Sequence, residues 1–267
     1  MSIKILKEKS QKVNENYEFL KYETPIPLKE WLLSNEYNKM KNVSPRDFVE
    51  KEFQRNPLRQ IRRNPKYVKC PADGVLIYQG RYKANEKILD IKGKKYTVRD
   101  ILMDETIPKD QSFYVAGIYL TSYSVHIVRT PTDGLVSEID YLPPIISRNF
   151  PMVMFENQLL KGNFVPKFLE YDFYNERTII TLYSTTLRTN IHIVLIADTD
   201  VDKNLPFIQE NESILQGQRL AYVLWGSQCD IIIEAKPWFR MKKLIPNFYY
   251  TYAGTCNLWE IMFRKNP

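Results

Sequence analysis

Histidine is nearly missing from this chain, with only His126 and His192 among 267 residues. Cysteine is scarce too: Cys70, Cys229 and Cys256 are an odd number at wide spacing. That poverty argues against a structural zinc site and a disulfide framework, so the expectation is no bound metal and a reducing compartment. The nine glycines build no phosphate-cradling loop. No stretch approaches the roughly 18 uninterrupted apolar residues of a membrane span. The first residues, Met-Ser-Ile-Lys-Ile-Leu-Lys-Glu-Lys, carry charge where a secretory signal needs an apolar run. The expected location is cytoplasmic, in solution or as a peripheral protein on a membrane surface.

Aromatic residues are plentiful. Tyr (18) and Phe (13) outnumber Gly, β-branched residues are frequent, and the length suffices for one full core. The expected fold class is α+β, a β-rich single domain of antiparallel sheets with N-terminal helices. Residues 1–69 read as an arm, helices and a basic linker, and 70–267 as the β-rich part. Lys and Arg number 38 against 31 acids, a net charge of +7 that favours an anionic partner without choosing one.

Residues 1–25 are polar and unpatterned. Leu28, Trp31 and Leu32 at helical spacing predict an amphipathic helix over 27–40. Ser44 and Pro45 predict the start of a second helix running to about Arg55, and the pair reads as a lid or brace. Six basic residues follow without an acid: Arg55, Arg59, Arg62, Arg63, Lys66 and Lys69. They suit anionic lipid head groups, or equally a solvated connecting arm. From Cys70 the pattern changes to strands and turns, with strands expected at 75–78, 87–92, 113–120, 125–128, 177–183, 191–197, 220–225 and 229–234 and a short helix at 97–103. The aromatic tail, Phe248 to Tyr252 and Trp259 to Phe263, reads as core or edge packing. Beside Lys242, Lys243 and Arg264 it would also suit a membrane interface.

The stretch from Leu215 to Glu234 organises the rest, because two apolar runs meet there at Gly226-Ser227. A tight bend between buried strands is the plain explanation of that junction. Several other segments add to it. Cys-Pro-Ala-Asp-Gly (70–74), Ile91-Lys92-Gly93 with Tyr96, Arg129-Thr130-Pro131-Thr132-Asp133-Gly134, Asn175-Glu176-Arg177 and Gly226-Ser227 stand in one order along the chain. In that order and spacing they resemble the phosphatidylserine decarboxylase family, in which Leu-Gly-Ser-Thr supplies a self-cleavage site.

The resemblance implies a proenzyme. The Ser227 hydroxyl would attack the Gly226 carbonyl to give an ester. β-Elimination would release one chain and leave dehydroalanine, and hydrolysis would convert that to a pyruvoyl group. This group, derived from Ser227, would be the only cofactor: its ketone condenses with a substrate amine and accepts the electrons released as carbon dioxide leaves. The implied activity is pyruvoyl-dependent decarboxylation of a serine phospholipid by residues 70–267. The implied partner is an anionic phospholipid, phosphatidylserine, or a membrane surface, and not nucleic acid; a homo-oligomer stays open.

The catalytic residues so implied are Ser227, His126 and Asp73, the aspartate orienting a base for the serine as in serine hydrolases. Asp73 reads otherwise as a turn aspartate bonded to its own backbone. The family's second histidine, the one assigned to activating the serine, is Arg129 here, and a guanidinium cannot act as a general base. Three readings follow: His126 does both jobs, His192 approaches Ser227 from its apolar strand, or the chain never cleaves and is a pseudoenzyme that binds lipid or a partner. A decarboxylase of a soluble amino acid is a further alternative. Gln228 stands where the family has threonine, and Ile196 to Asp200 replaces its Val-Gly-Ala segment. Arg177 could hold a carboxylate or phosphate by its planar fork, or pair internally.

Overall fold

The structure, a computed structural model, describes residues 24–41, 61–146, 148–199, 204–223 and 227–264. In chain order the elements are β1 (Ile26–Pro27), α1 (Leu28–Trp31), α2 (Asn35–Lys41), β2 (Tyr67–Lys69), β3 (Gly74–Lys83), β4 (Leu89–Ile91), β5 (Lys94–Tyr96) and α3 (Val98–Leu102). Then come β6 (Ser112–Leu120), β7 (Ile127–Arg129), β8 (Gly134–Leu142), α4 (Val153–Leu159), a 3₁₀ turn (Pro166–Phe168), α5 (Tyr171–Tyr174), β9 (Arg177–Ser184) and β10 (Thr189–Ala197). The chain continues through β11 (Leu205–Pro206), β12 (Ser213–Ile214), β13 (Arg219–Tyr222), β14 (Ser227–Glu234), β15 (Phe239–Lys243), β16 (Tyr249–Thr251) and β17 (Asn257–Phe263). The α+β, β-rich expectation holds.

A nine-stranded antiparallel sheet in the order β1-β16-β3-β6-β14-β10-β9-β8-β12 forms the frame. Strand β14 lies at its centre. Alternation sets Ser227, Cys229, Ile231 and Ile233 on one face and Gln228, Asp230, Ile232 and Glu234 on the other. All but Glu234 are buried, so both faces are covered, and each buried isoleucine contributes about 2 kcal/mol. Helices cover the Gln228 face: Phe155 of α4 meets Tyr119 edge-on at 5.0 Å, and the Tyr171 hydroxyl of α5 donates to Gln228 Oε1 at 3.0 Å. Two smaller sheets, β11-β13-β7 and β15-β17-β2, and the β4-β5 hairpin complete the strands.

Local chemistry explains the boundaries. Thr97 and Asp100 form a capping box that starts α3. The single helix expected over 27–40 is two helices. Ser34 interrupts it: its hydroxyl accepts the Tyr37 amide at 3.1 Å and so caps α2 as a new start. The helix expected from Ser44 lies outside the described residues, as do residues 1–23, Arg55 and Arg59. Both N-terminal helices pack on the aromatic tail. Trp31 stacks on Tyr250 at 3.9 Å, and the Tyr252 hydroxyl donates to Glu36 at 2.9 Å. Strand β8 and helix α4 carry no sequence pattern that announced them.

Within the basic arm, Arg63 pairs with Asp133 at 2.8 Å, Lys66 pairs with Glu260 at 3.0 Å, and Lys69 Nζ donates to the Thr255 carbonyl at 3.3 Å. These cations tie the arm to the domain. No helix among the described residues is long and apolar enough to cross a membrane.

Candidate active site at one end of the central sheet

Strand register gathers the candidate segments. Ser227 opens β14 between Leu120 of β6 and Ala197 of β10. One row further in, Val75, Tyr119, Gln228, Ile196 and Arg177 stand side by side across five strands. The Pro-Ala-Asp-Gly, Asn-Glu-Arg and Gly-Ser segments therefore reach the same end of one sheet.

Asp73 is fully buried just before β3, and its Oδ1 accepts the Ala253 amide at 2.8 Å. Gly74 follows at φ +154°, and an added Cβ would sit 2.2 Å from the Tyr119 carbonyl oxygen. Only glycine lets β3 come this close to β6. The same turn holds β7, since the Pro71 carbonyl accepts the Arg129 amide at 2.7 Å.

His126 is fully buried at the head of β7. Its carbonyl accepts the Val223 amide at 3.0 Å, which fixes it beside the end of β13, four residues before Ser227. Gly226 lies in that connection and outside the described residues. From the other side, Leu120, the partner of Ser227, runs directly into a turn closed by Ser124, whose amide bonds the Thr121 carbonyl at 2.8 Å, and His126 follows two residues later.

The other candidates are placed differently. Arg129 is buried and donates from Nη1 to the Gly217 carbonyl at 2.8 Å, packed so closely that a Cβ on Gly254 would lie 2.9 Å from its Cδ. Arg177 is fully buried, and its fork donates to the carbonyls of Asp100, Ile101, Asp172 and Asn175. It joins α3 and α5 to the sheet. His192 pairs with Ile232, whereas Ser227 pairs with Ala197, so the two are roughly 17 Å apart at about 3.4 Å per residue. His192 instead shares a hydrogen bond of 3.1 Å with Thr181 and lines a cleft of about 450 Å³ with Asp104, Glu138 and Glu234. Burial lowers its pKa.

Three buried acids lie on the Gln228 side of the sheet, under the covering helices, without a signal in the sequence. Asp230 accepts from the Tyr78 hydroxyl at 2.8 Å and from Gln228 Nε2 at 2.9 Å. Burial raises its pKa to about 7 against those bonds. Asp172 is buried beside it; burial and then Asp230 push its pKa well up, against the pull of Arg177 and Gln228. Glu156 on α4 accepts the Ser122 amide at 3.0 Å, the Ser122 hydroxyl at 2.9 Å and the Tyr119 hydroxyl at 3.4 Å. Burial raises its pKa, and Ser122 and then His126 pull it back. A lone acid in an amphipathic segment reads as a surface residue, so only the fold reveals these three.

Residue 227 is thus a buried hydroxyl at the open end of a central strand, with one histidine bonded through its carbonyl to Val223. The surroundings fit a ketone in place of that side chain, because full burial excludes water.

A sequence profile described as phosphatidylserine decarboxylase matches residues 46–254. A Methanocaldococcus jannaschii protein named "Putative archaetidylserine decarboxylase proenzyme" is 27% identical over 184 residues, 68% of this chain and 77% of that protein. A Burkholderia vietnamiensis phosphatidylserine decarboxylase proenzyme is 22% identical over 183 residues, 68% of this chain and 66% of that protein. The profile spans most of the chain and every segment gathered at the sheet end, and the chain belongs to the phosphatidylserine decarboxylase family.

Proposed function

We propose that the chain is a proenzyme that cuts itself between Gly226 and Ser227 and then removes carbon dioxide from the serine head group of an anionic phospholipid. The observation that carries this reading is the strand register, by which the segments of Asp73, Asn175–Arg177 and Ser227 all reach one end of the sheet, while the His126 carbonyl accepts the Val223 amide four residues before Ser227.

His126 takes the proton from the Ser227 hydroxyl, and the oxygen attacks the Gly226 carbonyl, which has no side chain to block the approach. The C–N bond of residues 226 and 227 breaks as the ester forms. Loss of the Ser227 α-proton then expels the Gly226 carboxylate, and water replaces the nitrogen of residue 227, which leaves as ammonia. The resulting ketone supplies an electron sink for decarboxylation. His126 holds the proton that returns to the carbon from which carbon dioxide departs. Asp73 keeps its turn in place through Ala253, and Arg177 locks the neighbouring helices by its carbonyl bonds. The membrane surface would present the substrate, with the protein bound peripherally.

Arg129 favours a second reading, an unprocessed relative that binds lipid or a partner, because this guanidinium donates to Gly217 and is no base. Denaturing electrophoresis with mass spectrometry separates the two. The proposal expects a separate chain of residues 227–267 with a blocked N-terminus; one intact chain after long incubation with phosphatidylserine vesicles overturns it. Carbon dioxide release from those vesicles, compared with release from free amino acids, then separates a lipid from a soluble substrate.

A further inference from the structure

From Tyr141 to Phe155 the chain carries a single charge, Arg148, and no acid. This stretch is anchored at the end of the sheet where Ser227 lies. Asn149 Oδ1 accepts the Glu176 amide at 2.8 Å, Asn175 Oδ1 accepts the Phe150 amide at 2.6 Å, and Asp198 Oδ1 accepts the Met152 amide at 3.0 Å. Asn175 also donates to the carbonyl of Ala197, the β10 partner of Ser227. On either side of that anchor, apolar side chains stand in solvent: Ile145 is 60% exposed and Ile146 39%, and Val153 and Met154 at the start of α4 are 53% and 51% exposed. The core does not call for them, because Met152, Phe155 and Leu159 already supply the buried side. Single exposed apolar residues are ordinary, but four so close together around one anchor mark a contact surface.

The border of this surface is cationic. Arg148 is exposed between the two apolar pairs. Lys94, from the β4-β5 hairpin, donates to the Tyr174 hydroxyl at 2.6 Å, and the Tyr174 carbonyl accepts the Ile145 amide at 2.9 Å. The acids of the flanking segments are engaged elsewhere: Asp198 with the amides of Met152 and Thr199, Glu170 with Lys92 and Glu176 with the Tyr141 hydroxyl, while Asp140 lines the His192 cleft. Apolar side chains ringed by cations suit a bilayer containing anionic lipid, where the former enter the acyl boundary and the latter stay among the head groups. A second copy docked face to face would set two cationic borders against each other. We propose that Ile145, Ile146, Val153 and Met154, bordered by Arg148 and Lys94, form the surface that docks the protein on an anionic bilayer with the Ser227 end of the sheet toward the lipid. The proposal rests on the reading of the substrate as a phospholipid.

A rival surface lies at the other end of the strands. Trp238, Met262 and Phe263 are exposed there, and Trp238 Nε1 donates to the Leu187 carbonyl in the β9-β10 turn. Eight residues of β10, roughly 27 Å at about 3.4 Å per residue, separate that turn from Ala197. Docking through it would leave Ser227 away from the lipid.

The test is co-sedimentation of the full chain with phosphatidylcholine vesicles containing about 30% phosphatidylserine. Ile145→Ser combined with Met154→Ser should weaken binding about tenfold, and Arg148→Glu about fivefold at low salt with the difference fading at high salt. Met262→Ser combined with Phe263→Ser should stay within about twofold. These side chains are exposed, so each variant should melt within about 2 °C of the unsubstituted chain, which excludes misfolding as the cause. Absence of vesicle binding by the unsubstituted chain, unchanged binding in the Ile145 and Met154 variant, or a loss confined to the Met262 and Phe263 variant overturns the proposal. So does a dimer in analytical ultracentrifugation that the Ile145 and Met154 substitutions convert to a monomer, since a second copy then covers the surface. Vesicle binding is read whether or not the chain cuts itself. A chain that docks through this surface yet stays intact therefore supports the docking surface while the proposed function fails.

Discussion

At the residue scale the two histidines separate by environment. His126 sits beside the end of β13, four residues before Ser227, whereas His192 is bound to Thr181 across the cleft end of the sheet. His126→Ala is expected to slow self-cleavage by about 100-fold or more, the usual contribution of a general base. His192→Ala should stay within about twofold, since it touches only the cleft. The appearance of the residue 227–267 fragment on a timed gel measures both. Cleavage lost in His192→Ala and kept in His126→Ala would mean that the wrong imidazole had been assigned to Ser227. Cys229 is no rival nucleophile: it is buried two residues along β14, and burial pushes its thiol well above the ordinary range.

At the scale of elements, Asn175 is the clasp. Its side chain accepts the Phe150 amide at 2.6 Å and donates to the carbonyls of Phe150 and Ala197 at 2.8 and 2.7 Å. It ties the 149–152 segment to the end of β10 opposite Ser227. Asn175→Ala leaves three backbone groups without their partner and should cost about 3 kcal/mol. The check is urea unfolding, with a lower midpoint at unchanged slope. Asn175→Asp should be no milder, because a carboxylate would face two carbonyl oxygens. The Asn-Glu-Arg segment was visible in the sequence as a family mark. Its work as a clasp and, through Arg177, as a lock on α3 and α5 was not, because those partners are distant in the chain.

For the whole molecule, the buried acids set a pH dependence. Asp230 has a folded-state pKa of about 7, and Asp172 is raised as well, both through burial. A carboxyl raised on folding contributes stability that is complete below the usual carboxylate range and is lost as pH rises toward the folded value. The melting temperature should therefore fall between about pH 4 and about pH 7, and Asp230→Asn should flatten that fall; a thermal melt series checks it. Asp133, held low by Arg63, acts in the opposite sense and is lost only in acid. The sequence by itself determined the β-rich class, the longer buried strands β3, β6, β9, β10 and β14, and the serine at the junction, because alternation and turn chemistry are local. Only the tertiary structure decided that His192 lies far from Ser227, that Arg129 donates to the Gly217 carbonyl and Arg177 to four others, and that Glu156 holds Ser122 in the turn after β6. Those facts depend on strand register and on which face each helix covers, and both are fixed by packing between segments far apart in the chain.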